Sequence, residues 1–390
     1  MGAVSAGTDG AAETDGAAGT DGVAVPPAGS SVGPSAEPGR AERARAGDFV
    51  IAIDGGGSKT AAVAVGLDGS VLARADGAGS NPQSIGLPRT VEIIDALVRE
   101  LVDAAGAAAG GAAGGAARRV HVYLSGMDLP REINGLSAEL NRLAWAQALP
   151  GRTVTVENDL FALLRAGTTA RDAVAIVCGT GTNAIGQRSD GRTIRFLAVG
   201  PISGDWGGGW QLGEEALWHG VRGRDRRGPP TALSELIPAR LGYRDIDEVS
   251  VALYLGELPE GTLAGLSPLV FEAAAAGDAV AGTIVARQAE EIALMAHSVI
   301  SRLDLLDAPV PVVLGGGVIA AQHAALAGAV LGKLAELAPR AEMVVVTHPP
   351  LLGGALLALE DAGAGPAALD RAVAELGART TARRVPTPAR

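Results

Sequence analysis

IAIDGGGSKTAAVAV, at residues 51–65, decides the fold together with a second stretch of the same design, VAIVCGTGTNAIG at residues 174–186. In each stretch, a short run rich in Ile and Val leads into a glycine-rich turn, and a run of alternating small and apolar residues follows. This pattern predicts a strand, a tight turn and a second strand. A Walker loop and a Rossmann fingerprint both need a helix after the glycines, so the sequence argues against both.

The two turns are suited to binding a phosphate tail. Glycine adopts positive φ and has no Cβ, so successive backbone N–H groups can converge on a phosphate oxygen. Asp54, at the end of the first predicted strand, is expected to hold Mg²⁺ directly or through water, because a cation must separate its carboxylate from the phosphates. One such turn alone is more often a plain hairpin, but its repetition in the second half of the chain favours a nucleotide site.

A third glycine cluster follows an apolar strand in VPVVLGGGVIA at residues 310–320. Its glycines would let the backbone approach a flat ring or a ribose. Three such sites predict a nucleotide cleft. The residues expected to bind the nucleotide are Gly55, Gly56, Gly57, Ser58, Lys59, Thr60, Gly179, Thr180, Gly181, Thr182, Gly315, Gly316 and Gly317.

Composition narrows the class of protein. The net charge of −11 and the lack of a basic run in the folded region argue against a nucleic-acid partner. No apolar segment reaches the roughly 20 residues of a membrane span, and the N-terminus has no secretory pattern, so a cytoplasmic protein without a membrane partner is expected. The single cysteine, Cys178, excludes an internal disulfide, and the five histidines lack the spacing of a zinc hydrolase.

The chain divides into four predicted segments. Residues 1–47 repeat TDG and then run through Pro, Ser, Gly and Ala, so they are expected to form a disordered tail. An N-terminal domain at 48–170 and a C-terminal domain at 171–362 follow, the second with helices over 266–276 and 278–304. Residues 363–390 are expected to be weakly ordered. The predicted architecture is α/β, with two mixed sheets facing a cleft.

Several motifs together resemble one family. They follow one another over residues 50 to about 360 and read DGGGSKT at 54–60, SN at 80–81, YLSG at 123–126, ENDLFALL at 157–164, CGTGTNAIG at 178–186, GDWGGGWQLGEEAL at 204–217, AGD at 276–278 and LGGGV at 314–318. In this order they resemble the BadF/BadG/BcrA/BcrD ATPase family, specifically its N-acetylglucosamine kinase branch. The resemblance implies two ribonuclease-H-like domains of the actin-like ATPase superfamily, which close on Mg-ATP and transfer the γ-phosphate to a sugar hydroxyl.

The resemblance also implies roles for single residues. Asp159 matches the general base, whereas its sequence context alone favours a helix N-cap. Asn81 matches a sugar-contacting asparagine, although Asn before Pro is also a common turn former. Ser58 and Thr180 match hydroxyls that contact ATP, and Gly265 lies where the family contacts the nucleotide.

The sugar pocket departs from the family pattern. The kinases carry a Gly-Asp-Glu-Gly stretch whose Asp binds sugar hydroxyls, and it is matched here to residues 213–216, where Glu214 is expected to substitute. Asp205 and Gly208, just upstream, are also assigned to the substrate. Trp206 and Trp210 suit a sugar platform and a core anchor equally well. The departure leaves N-acetylglucosamine, glucosamine, another amino sugar or a muramic-acid derivative open as the substrate.

Two alternatives to a kinase are considered. Other family members are ATPases that act on a protein partner and need cysteine thiolates, which Cys178 alone does not supply. A non-catalytic sugar sensor is the second alternative, since fold does not fix function. The presence of both Asp54 and Asp159 argues for turnover. The expected partner is therefore a small-molecule amino sugar, and a homodimer is left open.

Overall fold

A computed structural model gives the structure of most of the chain. It describes residues 47–108, 115–152, 154–321, 323–346, 348–377 and 383–384. Apart from Gly47, the tail expected to be disordered lies outside these residues. Within the described ranges, no single helix has the length and apolar composition to cross a membrane, although by those two criteria alone the bent pair Gly261–Ala275 and Ala279–Arg302, which meet at 115°, would qualify together.

The first sheet has five strands in the order β3-β2-β1-β4-β5. Its strands are β1 (Phe49–Gly55), β2 (Lys59–Gly66), β3 (Val71–Ala78), β4 (Ala117–Leu124) and β5 (Val154–Asn158). β1 pairs antiparallel with β2 across the first glycine turn and parallel with β4. The predicted strand, turn and strand are therefore confirmed, and the sheet is mixed.

The second sheet repeats this plan. Its strands are β6 (Ala173–Cys178), β7 (Thr182–Gln187), β8 (Thr193–Arg195), β9 (Val310–Gly315), β10 (Ala341–Val345) and β11 (Arg383–Arg384), in the order β11-β10-β9-β6-β7-β8. β6 pairs antiparallel with β7 across the second glycine turn and parallel with β9. Two mixed sheets of related topology confirm the predicted α/β class.

Helices cover the sheets. They are α1 (Pro82–Ile85), α2 (Leu87–Ala108), α3 (Pro130–Leu140), α4 (Ala144–Gln147), α5 (Asp159–Gly167), α6 (Gly208–Arg224), α7 (Leu233–Leu241), α8 (Ile246–Tyr254), α9 (Ser267–Ala275), α10 (Ala279–Arg302), α11 (Gly317–Ala320), α12 (Ala324–Leu337), α13 (Pro350–Asp361) and α14 (Pro366–Gly377). Short 3-10 turns lie at Pro150–Arg152, Gly200–Ser203 and Glu260–Leu266. α9 and α10 confirm the helices predicted over 266–276 and 278–304.

α10 forms the centre of the second core. Its apolar residues at helical spacing, among them Ile284, Ile292 and Val299, are buried with strand residues of β6 and β9. Asp278 caps the helix, since its side chain accepts a hydrogen bond from the backbone N–H of Ala281 at 2.9 Å. The amphipathic pattern read from the sequence thus lies against the second sheet.

α13 returns the chain to the first sheet. Its residues Leu352, Ala355 and Leu359 are buried with Val50 and Ala52 of β1. This helix follows the second sheet in sequence but packs on the first. Sequence periodicity reports that a helix has an apolar face, and it does not report which sheet receives that face.

α14 is ordered against the same sheet. Ala372 and Leu376 are buried, and the Glu375 carboxylate accepts a hydrogen bond from the backbone N–H of Val71 at 2.7 Å. Residues 366–377 of the segment expected to be weakly ordered thus form a helix packed on the first sheet. Residues 378–382 and 385–390 lie outside the described residues.

Gly353 of α13 allows close contact with α5. A Cβ on this residue would lie 1.8 Å from the backbone oxygen of Ala162, and backbone cannot move aside as a flexible side chain can. We predict that Gly353→Ala lowers the free energy of unfolding by roughly 1–3 kcal/mol through overpacking. Gly332→Ala in α12, where an added Cβ meets nothing within 4 Å, should instead raise it by about 0.5–1 kcal/mol through helix propensity.

Urea denaturation of the two variants and the unmodified protein measures this difference. Opposite signs are expected at the two glycines. Equal stabilisation by both substitutions would show that the α5–α13 contact is looser than the structure has it.

Candidate active site

The first glycine turn lies at the end of β1, directly after Asp54. The turn is closed by a hydrogen bond from the backbone N–H of Gly56 to the Lys59 carbonyl at 2.9 Å, and Gly57, Ser58 and Lys59 are exposed. A Cβ on Gly79 would lie 2.1 Å from the Gly57 carbonyl oxygen. The loop that leads to α1 therefore rests directly on this turn.

The second glycine turn is docked on the start of α6. The backbone N–H groups of Gly209 and Trp210 donate to the carbonyls of Gly179 and Thr180 at 2.7 and 2.9 Å. Gly208 has φ +81°, and a Cβ there would lie 2.5 Å from the backbone of Gly181. Gly208 is thus required for close backbone approach.

The third cluster connects β9 to α11 and packs against the end of β6. Gly316 has φ +93°, and a Cβ on it would lie 2.4 Å from the Cys178 carbonyl oxygen. The following residue begins α11. Cys178 itself is buried, and burial raises the pKa of its thiol to about 12, which suits a core residue better than a nucleophile.

All three turns line one cleft of about 1200 Å³ between the sheets. The predicted ATP-binding residues that line it are Gly56, Gly57, Ser58, Lys59, Gly179, Thr180, Gly315, Gly316 and Gly317. Asp54 and Asp159 line it as well. The structure therefore brings together most of the residues that the sequence had assigned to the nucleotide.

Three of the predicted ATP-binding residues make contacts within the protein and do not line the cleft. Gly55 has no room for a Cβ beside Ser80 and Leu124. The buried Thr60 hydroxyl donates to the Ala78 carbonyl at 2.6 Å, and the Thr182 hydroxyl donates to the Val177 carbonyl at 3.1 Å. These residues stabilise the turns on the side away from the cleft. The sequence alone does not distinguish them from residues that face a ligand.

Gly181 and Gly265 lie outside the cleft lining. Both are exposed, and their neighbours Thr180 and Ala264 line the cleft instead. In both segments, a residue next to the assigned glycine lies in the cleft lining, and the glycine itself does not.

Asp159 is the first residue of α5, and the cap of that helix is its neighbour. The Asn158 side chain accepts a hydrogen bond from the backbone N–H of Leu160 at 2.9 Å. The N-cap interpretation therefore applies to Asn158, and the Asp159 carboxyl is left in the cleft. Burial, to which repulsion from Asp54 adds, raises the pKa of Asp159 to about 7.

Asp54 lies in the same low-dielectric part of the cleft. Burial raises its pKa to about 6, and the nearby Lys59 opposes that rise. Two carboxyl groups that are costly to ionise in the free protein gain from a cation placed between them. This pairing can hold a divalent ion at one carboxylate and accept a proton at the other.

Asn81 is placed beside the first turn. Its side-chain oxygen accepts from the backbone N–H of Gln83 at 2.8 Å, and its amide donates to the Ser125 hydroxyl at 3.3 Å. Asn81 also caps α1, so the turn-former interpretation is confirmed for its oxygen. Asn81 is not among the residues that line the cleft.

Asp205 lies in the turn into α6, and neither it nor Gly208 is among the residues that line the cleft. Asp205 is buried and accepts a hydrogen bond from the Ser203 hydroxyl. Trp206 is also buried, with the Arg287 guanidinium 4.1 Å from the centre of its ring, so it acts as a core anchor. Trp210 donates from its ring nitrogen to Glu214 at 2.9 Å.

Glu214 is not brought to the cleft. It is exposed in the middle of α6 and lines a second cavity of about 840 Å³ together with Trp218. The match of Gly-Asp-Glu-Gly to residues 213–216 placed the motif inside a helix. Residues 204–207 read Gly-Asp-Trp-Gly, keep both glycines and the aspartate, and form the turn that enters α6. Asp205 in this stretch was also assigned to the substrate.

The sequence reasoning also missed a polar cluster around Asp128. One oxygen of this carboxylate accepts hydrogen bonds from the side-chain amides of Asn158 and Asn183, each at 2.9 Å. Asp128 lies two residues after the YLSG motif, in the loop that follows β4, and the sequence motifs did not single it out. The cluster joins the first sheet to the second beside Asp159.

The far end of the cleft is aromatic. The rings of Phe271 and His323 are stacked with centroids 3.8 Å apart and planes 5° apart, and both residues line the cleft with Val318. Burial lowers the pKa of His323, which favours a neutral ring. A flat heteroaromatic group suits this surface.

Comparisons with known proteins identify relatives of this chain. A curated relative, N-acetyl-D-glucosamine kinase of Dictyostelium discoideum, is 31% identical over 317 residues, which cover 80% of this chain and 98% of the relative. N-acetylmuramic acid/N-acetylglucosamine kinase of Clostridium acetobutylicum is 27% identical over 70% of this chain and 85% of that protein.

Solved structures share the fold. A protein from Chromobacterium violaceum assigned as an N-acetylglucosamine kinase is 22% identical with a TM-score of 0.58, and the match covers 80% of this chain and 98% of that one. A similarly assigned protein from Porphyromonas gingivalis is 19% identical with a TM-score of 0.59, over 80% and 99% of the two chains. Because the family model matches residues 51–358, this chain belongs to the BadF/BadG/BcrA/BcrD ATPase family.

Proposed function

We propose that this protein is an ATP-dependent kinase that phosphorylates a hydroxyl group of an amino sugar. The observation that carries the proposal is the position of Asp159. It lines the same cleft as Asp54 and the three glycine turns that are suited to binding phosphate. The relative that is 31% identical is an N-acetyl-D-glucosamine kinase. We infer a substrate of the N-acetylglucosamine class.

ATP fits the cleft in one direction. The triphosphate would lie across the first and second turns, where backbone N–H groups and the Lys59 ammonium offset its charge. The adenine would lie toward Phe271 and His323, the apolar and aromatic end of the cleft. The γ-phosphate then lies at the end that contains Asp159.

The carboxylates fit a magnesium ion. Among the described residues, no group of three or more His, Cys, Asp or Glu side chains could hold a metal by itself. Mg²⁺, however, is ordinarily bound by one or two carboxylates together with substrate phosphates and water. Asp54 would hold the ion, which would supply charge neutralisation on the phosphates.

Asp159 would orient the sugar hydroxyl and accept its proton. As the oxygen attacks the γ-phosphorus, its new bond to phosphorus replaces the bond to the β-phosphate oxygen, and ADP leaves. The hydroxyl proton passes to the Asp159 carboxylate. Positioning of the hydroxyl supplies most of the effect, because such transfer needs little covalent help from the protein.

The alternatives have less support. A partner-driven ATPase would need thiolates, and Cys178 is a buried residue of β6. A sugar sensor has no need of an ionisable pair such as Asp54 and Asp159 in the cleft. A homodimer and a cytoplasmic location stay predictions.

The purified protein tests the proposal directly. ADP release would be measured with Mg-ATP and N-acetylglucosamine, glucosamine, N-acetylmannosamine, N-acetylmuramic acid, glucose or no sugar. We expect one or more amino sugars to stimulate ADP release well above the rate without sugar. Hydrolysis independent of every sugar would favour an ATPase with another partner.

Asp159→Asn should strongly lower the rate of phosphoryl transfer and leave ATP binding unchanged. The amide cannot accept the hydroxyl proton, so kcat is expected to fall by a factor on the order of 10² or more while ATP binding by calorimetry is unchanged. Asp307→Asn, at an exposed position, is the matched control and should behave as the unmodified protein.

The pH profile gives a second test of the same residue. The ionised carboxylate is the active form and the pKa is raised to about 7, so kcat/KM should decline as pH falls below about 7 and level off above it. A profile that stays flat down to pH 5 would remove Asp159 as the base.

Substitutions at Asp205 and Glu214 test which stretch contacts the sugar, residues 204–207 or residues 213–216. Asp205→Asn is expected to raise the KM for sugar about tenfold or more, since a hydrogen bond to a charged group contributes roughly 1.5–3 kcal/mol. Glu214→Gln should change it less than twofold, because Glu214 faces the second cavity. The reverse order in steady-state kinetics would return the sugar contact to residues 213–216.

A further inference from the structure

Asp128 lies in the loop between β4 and α3, where it meets groups from both sheets. Its Oδ1 atom accepts one hydrogen bond from Asn158 at the end of β5 and another from Asn183 of β7, each at 2.9 Å. Asp128 therefore connects the two halves of the molecule through a single oxygen atom.

The side-chain oxygens of Asn158 and Asn183 each accept a hydrogen bond from a backbone N–H group. The oxygen of Asn158 caps α5 by accepting from Leu160 N–H, and the oxygen of Asn183 accepts from Ala184 N–H at 2.7 Å. With both oxygens so placed, each NH₂ group points to Asp128. The carboxylate thereby fixes the orientation of two side chains, one at the start of the helix that begins with Asp159 and one on the strand that leaves the second glycine turn.

The charge of Asp128 has a cost. It is partly buried near the like charges of Asp159 on α5 and Glu132 on α3, and Arg195 of β8 offsets only part of this repulsion. A buried carboxylate in such surroundings is weak evidence for a stabilising role. Its two hydrogen bonds instead point to a role in geometry.

We propose that Asp128 is a positioning residue that holds Asp159 in register with the second glycine turn through Asn158 and Asn183. This inference rests on the proposed kinase function for its kinetic consequence. Asp128 acts through other residues, and the reaction atoms are contacted by Asp159 and the turns.

Two substitutions separate hydrogen bonding from simple structural support. Asparagine keeps an oxygen that can accept both amide hydrogen bonds, so Asp128→Asn should keep kcat within about threefold of the unmodified protein. Alanine removes both bonds, so Asp128→Ala should lower kcat by about 10- to 100-fold. The KM for ATP should change less than kcat in both variants, because the first and third turns keep their contacts with the nucleotide.

Asn183→Ala tests the same bond from the other sheet and serves if Asp128→Ala fails to fold. It should lower kcat, and the double variant Asp128→Ala/Asn183→Ala should be no slower than Asp128→Ala alone, since one interaction is removed twice. Unchanged kcat in Asp128→Ala, equal losses in Asp128→Asn and Asp128→Ala, or additive losses in the double variant would each overturn the proposal.

Hydrogen exchange of the protein without ATP or sugar gives a readout independent of catalysis. Amides of residues 159–163 and 182–187 should exchange faster in Asp128→Ala than in Asp128→Asn, while α12 stays unchanged. If the unmodified protein phosphorylates no sugar, the kinase proposal fails, and faster exchange still supports the positioning role. Equal exchange in both variants would overturn it.

Discussion

Close approach between backbones at three glycine turns organises this molecule. Gly79 packs on Gly57, Gly208 on Gly181 and Gly316 on Cys178, in each case at a separation that excludes a Cβ. These contacts allow both sheets and the start of α6 to meet around one cleft. Any side chain at these positions would separate the turns, and the exposed N–H groups would no longer face a common ligand.

The cleft so formed destabilises negative charge, because it removes carboxylates from water. Asp54 and Asp159 both have pKa values raised by burial, and a protein selected only for stability would do better without the pair. A bound cation and phosphates reverse the cost, because the ion stabilises the charged form of each carboxylate. The pair therefore reads as a site prepared for a metal-bound nucleotide. The aromatic surface of Phe271 and His323 at the opposite end gives the cleft a direction.

Sequence reasoning predicted the local parts of this fold well. The period of the apolar residues and the position of the glycines identified β1, β2, β6, β7 and α10 because those signals are local. The return of α13 to the first sheet depends on packing between residues 300 positions apart, and no local pattern encodes it. At the site, Asn158 and Asp159 are both good caps, so only the structure shows which of them faces the cleft.

The sugar-binding residues were harder to predict, because their local sequence does not show which of them face a common site. Glu214 and Asp205 lie in the same motif block, and only the start of α6 at Gly208 shows that one is in a helix and the other in the turn before it. Asp128 gave no spacing signal at all, because its partners Asn158 and Asn183 come from different sheets. Residues that act through long-range hydrogen bonds are visible only once the chain is folded.

Phosphorus NMR of a reaction mixture tests the central claim most directly. The protein would be incubated with Mg-ATP and N-acetylglucosamine, and the spectrum followed with time. A kinase gives ADP and an equal amount of a phosphate monoester whose signal is split by a sugar proton. Conversion of ATP to ADP and inorganic phosphate, or an unchanged ATP spectrum with every amino sugar tried, would contradict transfer to an amino sugar.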